Sequence, residues 1–177
     1  MATTLKVVLL GGLAVGKTCI IKNFRGDNFE EGTNTTNGGS FYRSAIELEE
    51  SSQKINFEIW DTPGTIKLKE IIELFYKDAN AICLCYDSTS KDSFEKLKDY
   101  WYEKEIKINV DHDPILVIVA TKNDLYDKNE VKDEEGKAFA KEINAIFQST
   151  SALFNNTITS LFENIARKYF DPSYNCN

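Results

Sequence analysis

The sequence is poor in several things whose absence narrows the chemistry. It contains one histidine, His112, in the polar loop Asp111-His112-Asp113-Pro114, with no nucleophile motif nearby, so a Ser-His-Asp hydrolase is not supported. Its four cysteines, Cys19, Cys83, Cys85 and Cys176, do not have metal-ligand spacing. Cys83 and Cys85 alternate onto one face of a single apolar run, where two thiols are poorly placed to bridge, so buried reduced thiols in a reducing compartment are expected. There is no basic excess. The net charge is −7, against a general nucleic-acid binder and weakly against an anionic membrane surface. No apolar run approaches the roughly 20 residues that span a bilayer, and Met1 to Thr4 leads straight into a strand-like run rather than a signal peptide. Repeats, low-complexity tracts and internal linkers are also missing.

What remains is a soluble composition, 42% hydrophobic and 28% charged over 177 residues, enough for one packed domain. Leu5–Leu10, Ile55–Trp60, Ala81–Tyr86 and Ile115–Ala120 read as short buried strands. Helical spacing follows in Lys17–Phe24, in Phe94, Leu97, Tyr100, Trp101 and Ile108, in Ala138, Phe139, Ile143 and Ile146, and in Leu161, Phe162, Ile165, Ala166 and Tyr169. Alternating strands and helices imply a parallel sheet covered on both faces. Phe41–Glu49 and Lys54–Trp60 are separated only by Glu50-Ser51-Ser52-Gln53, which predicts a hairpin and an antiparallel edge. Asp133-Glu134-Glu135 reads as the acidic first turn of a helix, and the pattern from Lys67 to Lys77 as an amphipathic helix. Residues 26–40 lack periodicity and form the longest loop.

Gly11-Gly12-Leu13-Ala14-Val15-Gly16-Lys17-Thr18 matches the phosphate-loop pattern between a strand and a helix. Its glycines let backbone N–H groups curl around phosphate oxygens at a helix N-terminus. Lys17 would add a full charge, and Thr18 a hydroxyl suited to Mg²⁺. Asp61-Thr62-Pro63-Gly64 ends the strand at Trp60, offering a metal-directed carboxylate and a backbone N–H at Gly64. Thr121-Lys122-Asn123-Asp124 follows the strand ending at Ala120, and Ser151-Ala152-Leu153 precedes the last helix. Ligands of open α/β sheets bind at the carboxyl ends of the strands, so these loops can converge.

With these four segments in this order, the chain resembles the small GTPases of the Ras superfamily, the Rab type above all, over nearly its whole length. The stretch Phe57-Glu58-Ile59-Trp60-Asp61-Thr62 is close to a Rab signature. The resemblance implies an α/β fold: a six-stranded, mostly parallel sheet with one antiparallel edge strand, in a single G-domain over residues 1–171 with a short tail at 172–177. It implies GTP/GDP and Mg²⁺ as ligands. Thr18, Thr36 and Asp61 would hold the metal. The phosphates would lie on Leu13, Ala14, Val15, Gly16, Lys17, Thr18 and Cys19, with Gly64 and Thr36 joining in the GTP state. Phe29 would meet the base edge-on. Thr121, Lys122, Asp124, Leu125, Ser151, Ala152 and Leu153 would form the base pocket, with Asp124 reading the guanine N–H and amine, Lys122 lying along the base and Ala152 giving a backbone N–H to the guanine oxygen. Lys17, Thr36, Gly64 and Thr65 would carry hydrolysis. Residues 26–41 and 64–77 would be the switches that meet effectors, exchange factors and activators, with Phe41, Trp60 and Phe75 as aromatic contacts; for Trp60, plain core packing is an equal alternative.

The departures from that family concern hydrolysis. Thr65 stands where a Gln usually orients the attacking water, and a Thr is too short and lacks the paired donor and acceptor. Leu13 occupies a position usually small, and Pro63 stiffens the loop and removes an N–H. A slow GTPase is therefore expected, in vesicle trafficking as the resemblance implies; the alternative is a nucleotide-holding interaction module with no meaningful turnover. Asp124 and Phe29 disfavour an ATP-using enzyme. Thr121 replaces an Asn, and Leu153 a Lys, with binding expected to survive. The glycines of Thr36-Asn37-Gly38-Gly39-Ser40-Phe41 are expected to loosen the first switch. Cys176 with one following Asn fits a prenylation signal poorly, so a cytoplasmic protein is expected, on endomembranes only peripherally.

Overall fold

The computed structural model of the chain describes residues 3–27, 38–48, 52–65 and 69–175. Six strands form one sheet in the order β2-β3-β1-β4-β5-β6. They are β1 (Thr3–Gly11), β2 (Ser40–Leu48), β3 (Gln53–Asp61), β4 (Ala81–Asp87), β5 (Ile115–Thr121) and β6 (Ile146–Ser149). Every pair is parallel except β2 with β3, the hairpin expected from its short connection. Burial follows topology. β4 lies at the centre and is buried at every position, whereas β2 at the edge alternates between covered and more exposed residues.

Helices cover both faces. On one side α1 (Lys17–Phe24) and α6 (Asn155–Phe170) pack on Leu5, Val7, Leu9, Phe57, Cys83, Cys85 and Val117. Cys83 and Cys85 are buried thiols on that single face, and burial pushes the Cys85 thiol up to about 12. On the other side lie α2 (Lys69–Tyr76), α3 (Lys91–Lys96) and α5 (Asp133–Glu142), over Val8, Leu10, Ile82, Leu84 and Ile118. Ser90 caps α3 by accepting from the Ser93 N–H at 3.2 Å. The acidic run at Asp133 is indeed the first turn of α5, and Glu135 reaches back to the Lys132 N–H at 3.2 Å.

Two periodicity readings are corrected. Ile146 does not continue a helix with Phe139 and Ile143. Helix α5 stops at Glu142, Asn144 turns the chain at φ 55°, and Ile146 opens β6. The strand has only four residues, too few to show period 2 against the helix before it. Ile108 is not on the buried stripe of Phe94, Leu97 and Trp101 but is 71% exposed. Residues Leu97–Ile106 are π-helical before the short α4 (Lys107–Asn109). The wider turn shifts the stripe, so Glu105 and Ile106 go inward instead. Glu105 is met there by the Tyr100 hydroxyl, which donates at 2.7 Å.

The strand registers place the polar loops together. Leu9 is opposite Asp61, Gly11 opposite Cys85, Asp87 opposite Thr121, and Ala120 opposite Ser149. The carboxyl ends of β1, β3, β4, β5 and β6 therefore open on the same edge, where the sheet's connections diverge to its two faces.

Candidate nucleotide site

The phosphate loop runs from β1 to α1 in the curled form its sequence predicts. Gly11 has φ +148°, and a Cβ there would lie 2.2 Å from the Cys85 carbonyl oxygen, so only glycine lets β1 pass β4 so closely. Lys17 opens α1 and turns back beneath the loop, its ammonium donating to the Gly11 carbonyl at 2.9 Å and the Gly12 carbonyl at 2.8 Å. Burial lowers the pKa of Lys17, with the Asp61 carboxylate partly opposing. Val15 has its side chain in the core, leaving its backbone to the loop, while Leu13 is 55% exposed at the mouth. Ala14 adopts φ 58°.

The end of β3 closes on this loop. The Thr18 hydroxyl donates to Asp61 Oδ2 at 2.5 Å, and Asp61 is fully buried. These are hard oxygen donors of the kind Mg²⁺ takes, brought side by side, so they fit that ion. Thr62 is pinned by donating to the Leu9 carbonyl at 2.7 Å. Gly64 then lies directly on the phosphate loop, where a Cβ would approach Leu13 N to 2.4 Å and Gly12 C and O to 2.5 Å. Thr65 follows, half-buried.

The base-side loops are tied both to the phosphate loop and to each other. Thr121 ends β5, and its hydroxyl lies 2.5 Å from the Val15 carbonyl and 3.0 Å from that of Tyr86. A hydroxyl has one proton, and the shorter contact takes it. The hydroxyl thus bridges the base loop to the phosphate loop with a shorter side chain than the family's Asn. Lys122, at φ 58°, pairs with Asp87 Oδ2 at 2.6 Å. Asp87 Oδ1 accepts from the Thr89 N–H and hydroxyl at 2.8 and 2.7 Å. Asp124 Oδ1 accepts from the Ser151 hydroxyl at 2.6 Å, which joins the two base loops. Leu125 and Leu153 are exposed beside them, and Ala152 is half-buried between.

Thus Gly11 to Thr18, Asp61, Gly64, Thr121, Lys122, Asp124 and the Ser151 turn meet at one edge of the sheet. Phe29 and Thr36 lie outside the described residues, as does most of the first switch. Phe41, Trp60 and Phe75 form a continuous aromatic row, with ring centroids 4.8 and 5.2 Å apart. Trp60 also packs partly against the core beneath α2. Sequence reasoning passed over Asp87, although it has the signal that picked out Asp61, a carboxylate ending a buried strand. It also passed over Thr157, whose hydroxyl accepts from the Ser151 N–H at 3.1 Å.

The comparisons with known proteins agree with this geometry. The Ras family model matches residues 6–171. The chain belongs to the Ras family. Among relatives, Ras-related protein Rab-17 of Mus musculus is 36% identical over 163 residues, which is 92% of this chain and 74% of that protein. Rab-26 of Rattus norvegicus is 33% identical over 92% of this chain and 62% of its own length. Rab-22A of Homo sapiens is 34% identical over 98% and 86%. The chain is therefore a Rab-like small GTPase of a family that binds guanine nucleotides and Mg²⁺. Among the described residues no helix is long and apolar enough to cross a membrane.

Proposed function

We propose that this chain is a Mg²⁺-dependent guanine-nucleotide switch of membrane traffic whose own hydrolysis of GTP is slow. The observation that carries the binding half is the locked set of loops: Thr121 on Val15, Ser151 on Asp124 and Thr18 beside Asp61. The Lys17 ammonium spends two of its three protons on the Gly11 and Gly12 carbonyls, which leaves the third for a phosphate oxygen. A bound phosphate would also offset the burial that depresses its pKa. Thr18 and Asp61 hold Mg²⁺, which supplies neutralisation of phosphate charge. Asp124 reads guanine through its carboxylate; adenine would leave that carboxylate unpaired, and sites built to hydrogen-bond reject such analogues strongly.

The slow half rests on Thr65, Leu13 and Pro63. Thr65 cannot offer the water both a donor and an acceptor as a Gln amide does. Leu13, exposed at the loop mouth, would crowd the space an arginine from an activator needs, a contribution of about 10³–10⁵ in this reaction. The same three residues favour a second reading, in which nucleotide is held for stability while the aromatic row of Phe41, Trp60 and Phe75 docks partners. Equilibrium binding of labelled GDP and GTP, with ATP as competitor and with Mg²⁺ chelated, tests the shared core. Tight, Mg²⁺-sensitive binding resistant to ATP is expected; displacement by ATP at comparable concentration would overturn it.

A further inference from the structure

Helix α1 ends Asn23-Phe24. Phe24 stacks on Phe162 of α6 with centroids 3.7 Å apart and planes at 11°, and meets Phe57 of β3 edge-on at 5.9 Å. The last turn of α1 is thereby fixed to the body of the protein. Beside it, Asn23 Nδ2 donates to the Ala152 carbonyl at 2.9 Å, a link between residues 129 positions apart. Asn23 Oδ1 is buried and has no hydrogen-bond partner among the described residues. Leaving a buried carbonyl unpaired costs as much as a made bond gains, or more. The side-chain oxygen gains nothing from its burial; what the amide provides is the donor to the Ala152 carbonyl.

The Ala152 turn shows what the bond does. The peptide joining Ala152 to Leu153 is gripped at both ends: its carbonyl by Asn23 Nδ2, and its N–H by Ser151 Oγ at 3.1 Å. The Ser151 N–H goes to Thr157 Oγ1 and the Phe154 N–H to the Ser151 carbonyl. Among the described residues, the Ala152 N–H is the one amide of residues 151–154 without an acceptor, and the hydroxyl of the neighbouring Ser151 donates to Asp124.

We propose that Asn23 is a specificity-determining positioning residue: by holding the Ala152 carbonyl it fixes the residue whose own N–H, in the preceding Ser151–Ala152 peptide, points at the oxygen on C6 of the bound purine. This rests on the guanine reading above. Asn23 touches no nucleotide itself; it acts through Ala152. Asp124 reads the other edge of the base, the N–H and the amine, so the two elements are separable by choice of ligand.

The test measures competitive affinities of the whole chain and its Asn23→Leu variant for three diphosphates. GDP carries the C6 oxygen; 6-thioguanosine diphosphate replaces it with a weaker acceptor; inosine diphosphate keeps it but lacks the amine. The parent should prefer GDP over the thio analogue, and the variant should lose roughly fivefold or more of that preference. The preference for GDP over inosine diphosphate should stay within about twofold, because Asp124 is untouched. Asn23→Ser, smaller and polar, gives the same readout if the leucine variant fails to fold. Loss of both preferences together, or of neither, overturns the proposal. A parent that retains no guanine nucleotide overturns the guanine reading, and the proposal with it; a parent that retains GDP with no selective loss in the variants overturns the proposal alone.

Discussion

The Thr121 hydroxyl lies 2.5 Å from the Val15 carbonyl, joining the end of β5 to the phosphate loop across 106 positions of sequence. Both groups are buried, so the bond has no competition from water. Removing it leaves the Val15 carbonyl without that donor just where the loop must keep its curl. Thr121→Val, close in shape, should release bound GDP roughly five- to tenfold faster. Thr121→Ser keeps the hydroxyl and should release it near the parental rate. Fluorescent-GDP dissociation rates decide; equal rates for the Val variant and the parent would remove the bridge from the account.

Lys17 predicts a pH dependence. Its folded pKa is lowered below the ordinary 10.5 by burial, so the charged ammonium is disfavoured in the fold. The unfolded chain binds more protons between the folded and unfolded values, and stability of the nucleotide-free protein rises with pH across that window. Lys17→Met removes the titrating ammonium together with its two bonds to the Gly11 and Gly12 carbonyls. It should lose the alkaline rise, and it should fail to hold GDP. Thermal melts of parent and variant from neutral pH to pH 10, without nucleotide, check the first and a binding assay the second.

Gly64 approaches the phosphate loop too closely for any side chain. A Cβ there would come within 2.5 Å of Gly12 C and O and Leu13 N, all backbone. Gly64→Ala must displace one of the two loops, at a cost of ~1–3 kcal/mol. The expected outcome is a lower melting temperature and weakened discrimination between GTP and GDP, read by calorimetry and by competitive binding.

Much of the architecture was legible because it rests on burial. The central run Ala81–Tyr86 is apolar throughout since β4 is covered on both faces, and the strand-end motifs follow from where such strands stop. Two elements were not legible for local reasons. Ile146 begins a strand of four residues one tight turn after a helix, and Ile108 follows a π-helical stretch that breaks the 3.6-residue count. In the site, residues that touch phosphate or metal announce themselves by spacing. The residues that hold others in place do not: Asn23 meets Ala152, and Thr157 meets Ser151, through contacts that only the folded chain brings about.

The central claim is a switch that binds guanine nucleotide and turns it over slowly, and single-turnover hydrolysis of pre-bound GTP tests it most directly, with the parent beside Thr65→Gln. An unassisted family member turns over at roughly 10⁻⁴ s⁻¹. The parent should fall below that rate, and the Gln variant should exceed the parent by about tenfold or more, as restored water positioning requires. A parent that hydrolyses GTP at the ordinary family rate, with no gain in the variant, would contradict the account.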